Sequence, residues 1–121
     1  MQEHVPIWLG GRSARSLRRA LRLADGWDPF RFTADELEAL LQRARDWPEW
    51  SGRVDGFELV FAPDLEFDLA DAAQRGGMVD TVGRYRDLGA TILNLRFRHR
   101  SLEHYLDQLA IFAESIAPRF G

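Results

Sequence analysis

The sequence predicts an α/β fold: four consecutive strand–helix units on a parallel sheet, of the kind that forms a segment of barrel wall. Three observations carry that expectation. Short runs rich in β-branched and aromatic residues alternate with amphipathic stretches of helical period, and such alternation calls for parallel strands joined by right-handed crossovers. The strands are apolar on one face and mixed on the other: Leu93, Leu95 and Phe97 oppose Asn94, Arg96 and Arg98, and Phe57, Leu59 and Phe61 oppose Glu58, Val60 and Ala62. An open doubly wound sheet is covered by helices on both faces and reads apolar on both, whereas a barrel wall is covered only on its outside. Finally, the 121 residues, 45% of them hydrophobic, are enough for a core and a single domain over 1–121, but not for a closed eight-stranded barrel, which takes ~250 residues. A small open-sheet α/β domain is the competing reading, and it requires a strand order unlike that of consecutive barrel neighbours.

The first unit opens with VPIWL, residues 5 to 9, read as a buried strand that stops at Gly10 and Gly11. Ser13 is a fair N-cap for the helix that follows, whose stripe is Leu17, Ala20, Leu21 and Ala24, with Gly26 ending it. WDPFRF is a short strand running into a loop. Thr33 begins TADE, a capping box with Glu36, and Leu37, Leu40, Leu41 and Ala44 form the second stripe. DWPEWSGRVDG, residues 46 to 56, is punctuated like a connection, and FELVFAP, residues 57 to 63, is the third strand. A third helix is expected from about Met78 to Leu88, stopped by Gly89, with Met78, Val79, Val82 and Tyr85 inward. TILNLRF, residues 91 to 97, is the fourth strand. Ser101 caps the last helix, with a stripe of Leu102, Tyr105, Leu106, Leu109, Phe112, Ala113 and Ile116, and Pro118 closes it.

Composition excludes several functions. A net charge of -3 gives no general nucleic-acid footprint and no attraction to anionic membranes. With no cysteine there are no disulfides, thiol nucleophiles or thiolate metal sites. No apolar run reaches the ~18 residues of a membrane-spanning helix, and the first twenty residues carry too many charges for a signal peptide, so the cytoplasm is the expected compartment. All 16 basic residues are arginine, which a G- and C-rich coding bias explains as well as selection for guanidinium groups. His4, His99 and His104 lack carboxylates at metal-ligand spacing, so no metal is expected. Asp64, Glu66 and Asp68 read as a surface loop, without the glycine and distal glutamate of a calcium loop. No Ser-His-Asp or Cys-His arrangement is present.

The candidate site lies where strands end. Gly10 and Gly11 leave no side chain to block a ligand, and the amides of Gly11, Arg12 and Ser13 precede a helix whose dipole favours anions. The same glycines also suit a tight strand-to-helix turn. Arg96, Arg98, His99 and Arg100, where the fourth strand runs out, suit an anionic substrate or a cofactor phosphate, or simply a solvated loop. Asp28 and Arg31 end the second strand, as part of the same rim or as a pair. His99 is the best candidate for proton transfer by chemistry and place.

VPIWLGGRS followed by an amphipathic helix and ADGWDPF, then RYRDLGATILNLRF, then a helix ending FAESIAPRF, resembles the C-terminal half of the luciferase-like flavin-dependent monooxygenases and their deazaflavin-dependent oxidoreductase relatives. The resemblance covers almost the whole chain and is least typical over residues 64 to 77. It implies the last four βα units of a TIM barrel, with strands one to four absent. It also implies FMN or the deazaflavin coenzyme F-420 as cofactor, a small-molecule substrate, and cofactor-phosphate contacts at Gly10 and Gly11, beside Arg12 and Ser13. The chemistry would be that of the flavin: hydride transfer, or oxygen activation after reduction. Two alternatives follow for a half-barrel. It is a part of an oxidoreductase, inactive alone, or it is a stand-alone binding or interaction module without catalytic activity. Open strand edges predict that it self-associates, as a homo-oligomer such as a twofold dimer supplying eight strands, or that it needs the missing N-terminal half-barrel.

Overall fold

The computed structural model describes residues 3–53 and 55–121. It is a mixed α/β protein in which parallel strands alternate with helices. The chain divides into two compact units, Met1–Pro63 with Tyr85–Asn94, and Asp64–Arg84 with Leu95–Gly121.

The first unit contains β1 (Trp8–Gly11), α1 (Ala14–Leu23), β2 (Gly26–Pro29), α2 (Ala34–Ala44), the short α3 (Pro48–Ser51), β3 (Glu58–Phe61) and, further along the chain, β5 (Ile92–Leu93). Its four strands are all parallel, in the order β1-β2-β3-β5. Each strand therefore lies beside its predecessor in the sheet, with helical chain between.

The VPIWL reading needs correction. The strand is Trp8–Gly11 and runs through both glycines, pairing Gly10 with Asp28 and Gly11 with Pro29. Among the described residues it is an edge strand paired with β2 alone, and Val5, Ile7 and Trp8 are exposed at 68%, 54% and 44%. Helix α1 follows Ser13 as expected, closing a capping box in which the Ser16 amide donates to Ser13 Oγ and the Ser13 amide to Ser16 Oγ. Leu17, Ala20, Leu21 and Ala24 are buried. The helix stops at Ala24 rather than at Gly26, because Asp25 is tied to the approach of β1: its amide donates to the Ile7 carbonyl and its carboxylate accepts from the Ile7 amide and from His4. Gly26 instead opens β2.

Thr33 and Glu36 form the expected capping box, and Leu37, Leu40, Leu41 and Ala44 are buried. The expected connection after it contains α3, started by Pro48 at its first position, where a missing N–H costs nothing. Val54, in the same stretch, lies outside the described residues. The core gathers around Trp27, fully buried, with Phe32 and Phe61 edge-on to it at 5.8 and 6.3 Å. Each large side chain so buried contributes ~1.5–3 kcal/mol relative to exposure.

The expected strand TILNLRF is broken. Ile92 and Leu93 pair with Val60 and Phe61 of β3, and the Asn94 amide donates to the Phe61 carbonyl. The ladder then ends, since β3 gives way to Pro63, which has no amide to extend it. Arg96 and Phe97 form a separate strand, β6, paired in parallel with β4 (Glu66–Phe67) in the second unit.

In that unit α4 (Ala72–Asp87), which continues into the first, starts well before the expected Met78, because Asp71 caps it: its carboxylate accepts from the Ala73 amide and its carbonyl from the Arg75 amide. Met78, Val82 and Tyr85 are buried and Val79 partly so. Ser101 caps α5 (Leu102–Ile111), its hydroxyl accepting from the His104 amide. A π-helical turn, Phe112–Ile116, and a 3-10 turn, Ala117–Phe120, follow. The expected stripe of α5 is wrong for the most part. Leu102, Leu106 and Leu109 are exposed at 73%, 52% and 40%, while His104 and Gln108 are buried.

Candidate functional site

At the carboxyl ends of β1 and β2 the structure brings together Gly10, Gly11, Arg12 and Ser13 with Asp28, Phe30 and Arg31. The Phe30 amide donates to the Gly11 carbonyl at 3.1 Å, fastening the two strand ends. Gly11 has φ 154, and a Cβ there would lie 2.3 Å from Ser16 Cβ. The first turn of α1 has therefore closed onto the space a side chain would need. That contact is built by Ser16, whose hydroxyl donates to the Ser13 carbonyl at 2.6 Å and accepts from Trp27 Nε1 at 3.1 Å. Gly11 is thus explained by packing between strand, helix and core.

Gly10 is different. It is exposed, and a Cβ would meet only the Asp28 carbonyl, at 3.2 Å. Arg12 and Ser13 are exposed as well. The amides of Ala14 and Arg15 open the helix and have no carbonyl one turn back to bond. Arg12 also helps, after the Thr33 amide and hydroxyl, to hold the Glu36 carboxyl below its usual range. The exposed surface of this turn is therefore two amides, a hydroxyl and a guanidinium, a set suited to one phosphate group. Arg31 adopts a left-handed backbone with φ 58, and no ion pair joins it to Asp28.

The second group of candidates lies in the second unit. Arg96 pairs with Asp64 at 3.0 Å, both largely exposed, in a shallow cleft that also includes Glu66 and Arg98. Two carboxylates face two guanidinium groups there, which leaves little net attraction for an anion. His99 is exposed, its Nδ1 3.1 Å from the Phe97 carbonyl and its ring against Tyr105. Among the described residues no carboxylate is hydrogen-bonded to its ring.

Sequence reasoning missed a buried polar cluster. Gln108 is fully buried; its Oε1 accepts from the Leu69 amide at 2.9 Å and its Nε2 donates to the Arg98 carbonyl at 2.7 Å. His104, one turn earlier, accepts from the Arg100 amide at Nδ1, so its ring hydrogen sits on Nε2 and faces Asp68 Oδ1 at 3.0 Å. The His104 hydrogen bond first, then that of the Ala70 amide, holds the Asp68 carboxyl below the usual range. Every one of these atoms is engaged within the fold, which makes the cluster a clamp on the β4 and β6 strand ends. The signal was present: His104 and Gln108 are four residues apart, on one face of α5. Among the described residues no group of three His, Asp or Glu side chains could hold a metal ion, and no helix is long and apolar enough to cross a membrane.

No family model matches the chain. No solved structure matches it either. Among curated proteins, it is similar to an uncharacterized protein of Mycobacterium tuberculosis (strain ATCC 25618 / H37Rv) and to another of Mycobacterium bovis, each 32% identical over 93% of this chain. The chain spans 38% of the length of these relatives.

Proposed function

We propose that this chain is the C-terminal half-barrel of a luciferase-like, flavin- or deazaflavin-dependent monooxygenase or oxidoreductase, to which it contributes the turn Gly10–Ser13 as a cofactor-phosphate site. One observation carries the reading: the strand order β1-β2-β3-β5, parallel throughout, with a glycine pair and a capped helix at the carboxyl end of β1. Sequential parallel winding is how a barrel wall is laid down, and barrel enzymes bind phosphate at strand carboxyl ends, beside a helix N-terminus. Relatives of which the chain spans 38% also have the length for four more strands.

The residues fit a phosphate group in part. Arg12, the Ser13 hydroxyl and the opening amides of α1 would hold it, and Gly10 leaves the approach clear. The bound cofactor would supply the redox chemistry, FMN or coenzyme F-420 accepting or donating a hydride. The chain's own part is to fix the phosphate and orient the tail. Calorimetric titration with FMN and, separately, with coenzyme F-420 tests this, using Gly10→Val and Arg12→Ala as variants that spare the Ser16 contact. Saturable binding lost in both variants supports the phosphate role. Binding unaffected by either variant, or no binding to either cofactor, overturns it for this chain.

A second reading, a stand-alone interaction module, is favoured by the edge strand β1, where Val5, Ile7 and Trp8 stand exposed. An uncovered parallel edge of that kind invites another chain. Sedimentation equilibrium would show self-association under this reading. A strict monomer at high concentration rejects it.

A further inference from the structure

Two helices expose like-charged pairs of opposite sign at the same spacing. In α5, Leu102, Leu106 and Leu109 form an exposed row on the side away from the buried His104 and Gln108, and Glu103 and Asp107 form an exposed row beside it. In α1, which contains no acidic residue, Arg18 lies over Trp47 and Arg22 pairs with Glu49. Arg15 and Arg19 are exposed and, like Glu103 and Asp107, make no ion pair among the described residues. Each pair is four residues apart, so like charges are neighbours across one turn and each helix is destabilised by its own pair. Arg15 also stands in the first turn, against the helix dipole. Leu23, four residues after Arg19, is 75% exposed.

We propose that these surfaces are the two sides of one contact between copies of this chain, in which α5 of one copy packs in parallel against α1 of another. Charge sets the partner. A contact of α5 with α5, or of α1 with α1, gathers like charges, whereas α5 against α1 answers a carboxylate pair with a guanidinium pair of equal spacing. The order of the rows sets the direction. Going round α5 in the sense of its chain, the leucine row comes before the acidic row; going round α1, the arginine row comes before Leu23. Parallel helices meet as mirror images, so when Arg15 and Arg19 reach Glu103 and Asp107, Leu23 falls on the leucine side, near Leu109. An antiparallel pair would set Leu23 beyond the acidic row instead. The aliphatic stems of the arginines cover leucine surface while their heads reach the carboxylates. The proposal rests on the self-association of the second reading and gives it a surface distinct from the β1 edge.

Charge reversal followed by sedimentation velocity over a range of concentrations tests it. The unaltered chain should associate. Arg15→Glu with Arg19→Glu, or Glu103→Arg with Asp107→Arg, should weaken association at least ~tenfold. All four side chains are exposed, so both reversed chains should keep a native backbone amide spectrum. An equimolar mixture of the two reversed chains should associate again, because each offers the other the opposite charge. Leu106→Ala should weaken association ~tenfold while leaving the stability of the dilute monomer nearly unchanged. Association that neither reversal weakens, or a mixture that stays dissociated, would overturn this contact and leave self-association through β1 standing. A strict monomer at every concentration would overturn both and assign the leucine row to a partner other than a second copy.

Discussion

Around Trp27 the first unit buries apolar side chains alone, whereas in the second a smaller apolar set, Leu69, Met78, Val82, Phe97 and Ile116, is joined by the buried polar pair His104 and Gln108 while leucines of the same helix stand in solvent. The stripes of α1 and α2 bury the residues their period selects. Helix α5 has an equally regular leucine stripe, yet Leu102, Leu106 and Leu109 are exposed while His104 and Gln108 are buried, and only Ile116, past the helix end, follows the stripe fully inward. Apolar periodicity thus locates a buried face where the neighbouring surface is apolar, as around Trp27. Where the neighbours are the open backbone groups of Leu69 and Arg98, polar side chains turn inward to meet them, because an orphaned buried amide costs ~1–3 kcal/mol.

Trp27→Ala should have the largest effect. It removes a fully buried side chain, two aromatic neighbours and the Ser16 hydrogen bond, at an expected ~3–5 kcal/mol in urea unfolding. Leu106→Ala, in the exposed stripe, should cost less than ~0.5 kcal/mol. Similar losses for the two would show that α5 is covered after all and break the contrast.

What was legible follows the same division. In the first unit the Ser13 cap, the Thr33–Glu36 capping box and both helical stripes could be read because local chemistry and tertiary burial agree there, whereas the reciprocal bond of Ser16 to the Ser13 amide could not. The strand boundaries could not: β1 slid forward onto Gly10 and Gly11 because Asp25 holds Ile7 and because pairing with Asp28 and Pro29 sets the register. In the second unit the capping role of Ser101 was legible, but the inward turn of His104 and Gln108 answers to Leu69 and Arg98, partners that no local period reveals. At the candidate site the glycine pair was visible, but not that Ser16 closes against Gly11 and leaves only Gly10 open.

Gln108→Ala sharpens the contrast from the polar side. It leaves the Leu69 amide and the Arg98 carbonyl without partners, and ~2–3 kcal/mol should be lost. Hydrogen exchange gives the specific readout: the Leu69 amide should lose its protection while the amides of β3 keep theirs. Gly11→Ala is the matching probe in the first unit, expected to cost ~1–3 kcal/mol through the Ser16 contact. Adding Ser16→Gly to Gly11→Ala should cost less than the two single losses together, since the clash is then gone. Strict additivity would remove the packing explanation for Gly11.

The smallest expected effects are in the acid dependence, where the two units behave alike. Hydrogen bonds hold two carboxyl groups below their usual range: Asp25 through the Ile7 amide first and then His4, and Asp68 through His104 first and then the Ala70 amide. Each group binds its proton more weakly folded than unfolded. Its contribution is therefore complete above the ordinary carboxyl value near pH ~4 and disappears as the pH falls through the lower, folded value. Asp25→Asn and Asp68→Asn should each flatten the decline in stability between about pH 5 and pH 2, measured by denaturant unfolding at each pH. Both carboxylates lie near the surface, so the changes should be modest and reduced by salt. A flattening with Asp25→Asn alone would mean that the His104 clamp holds its geometry without the charge on Asp68, and that the second unit relies on Gln108 instead.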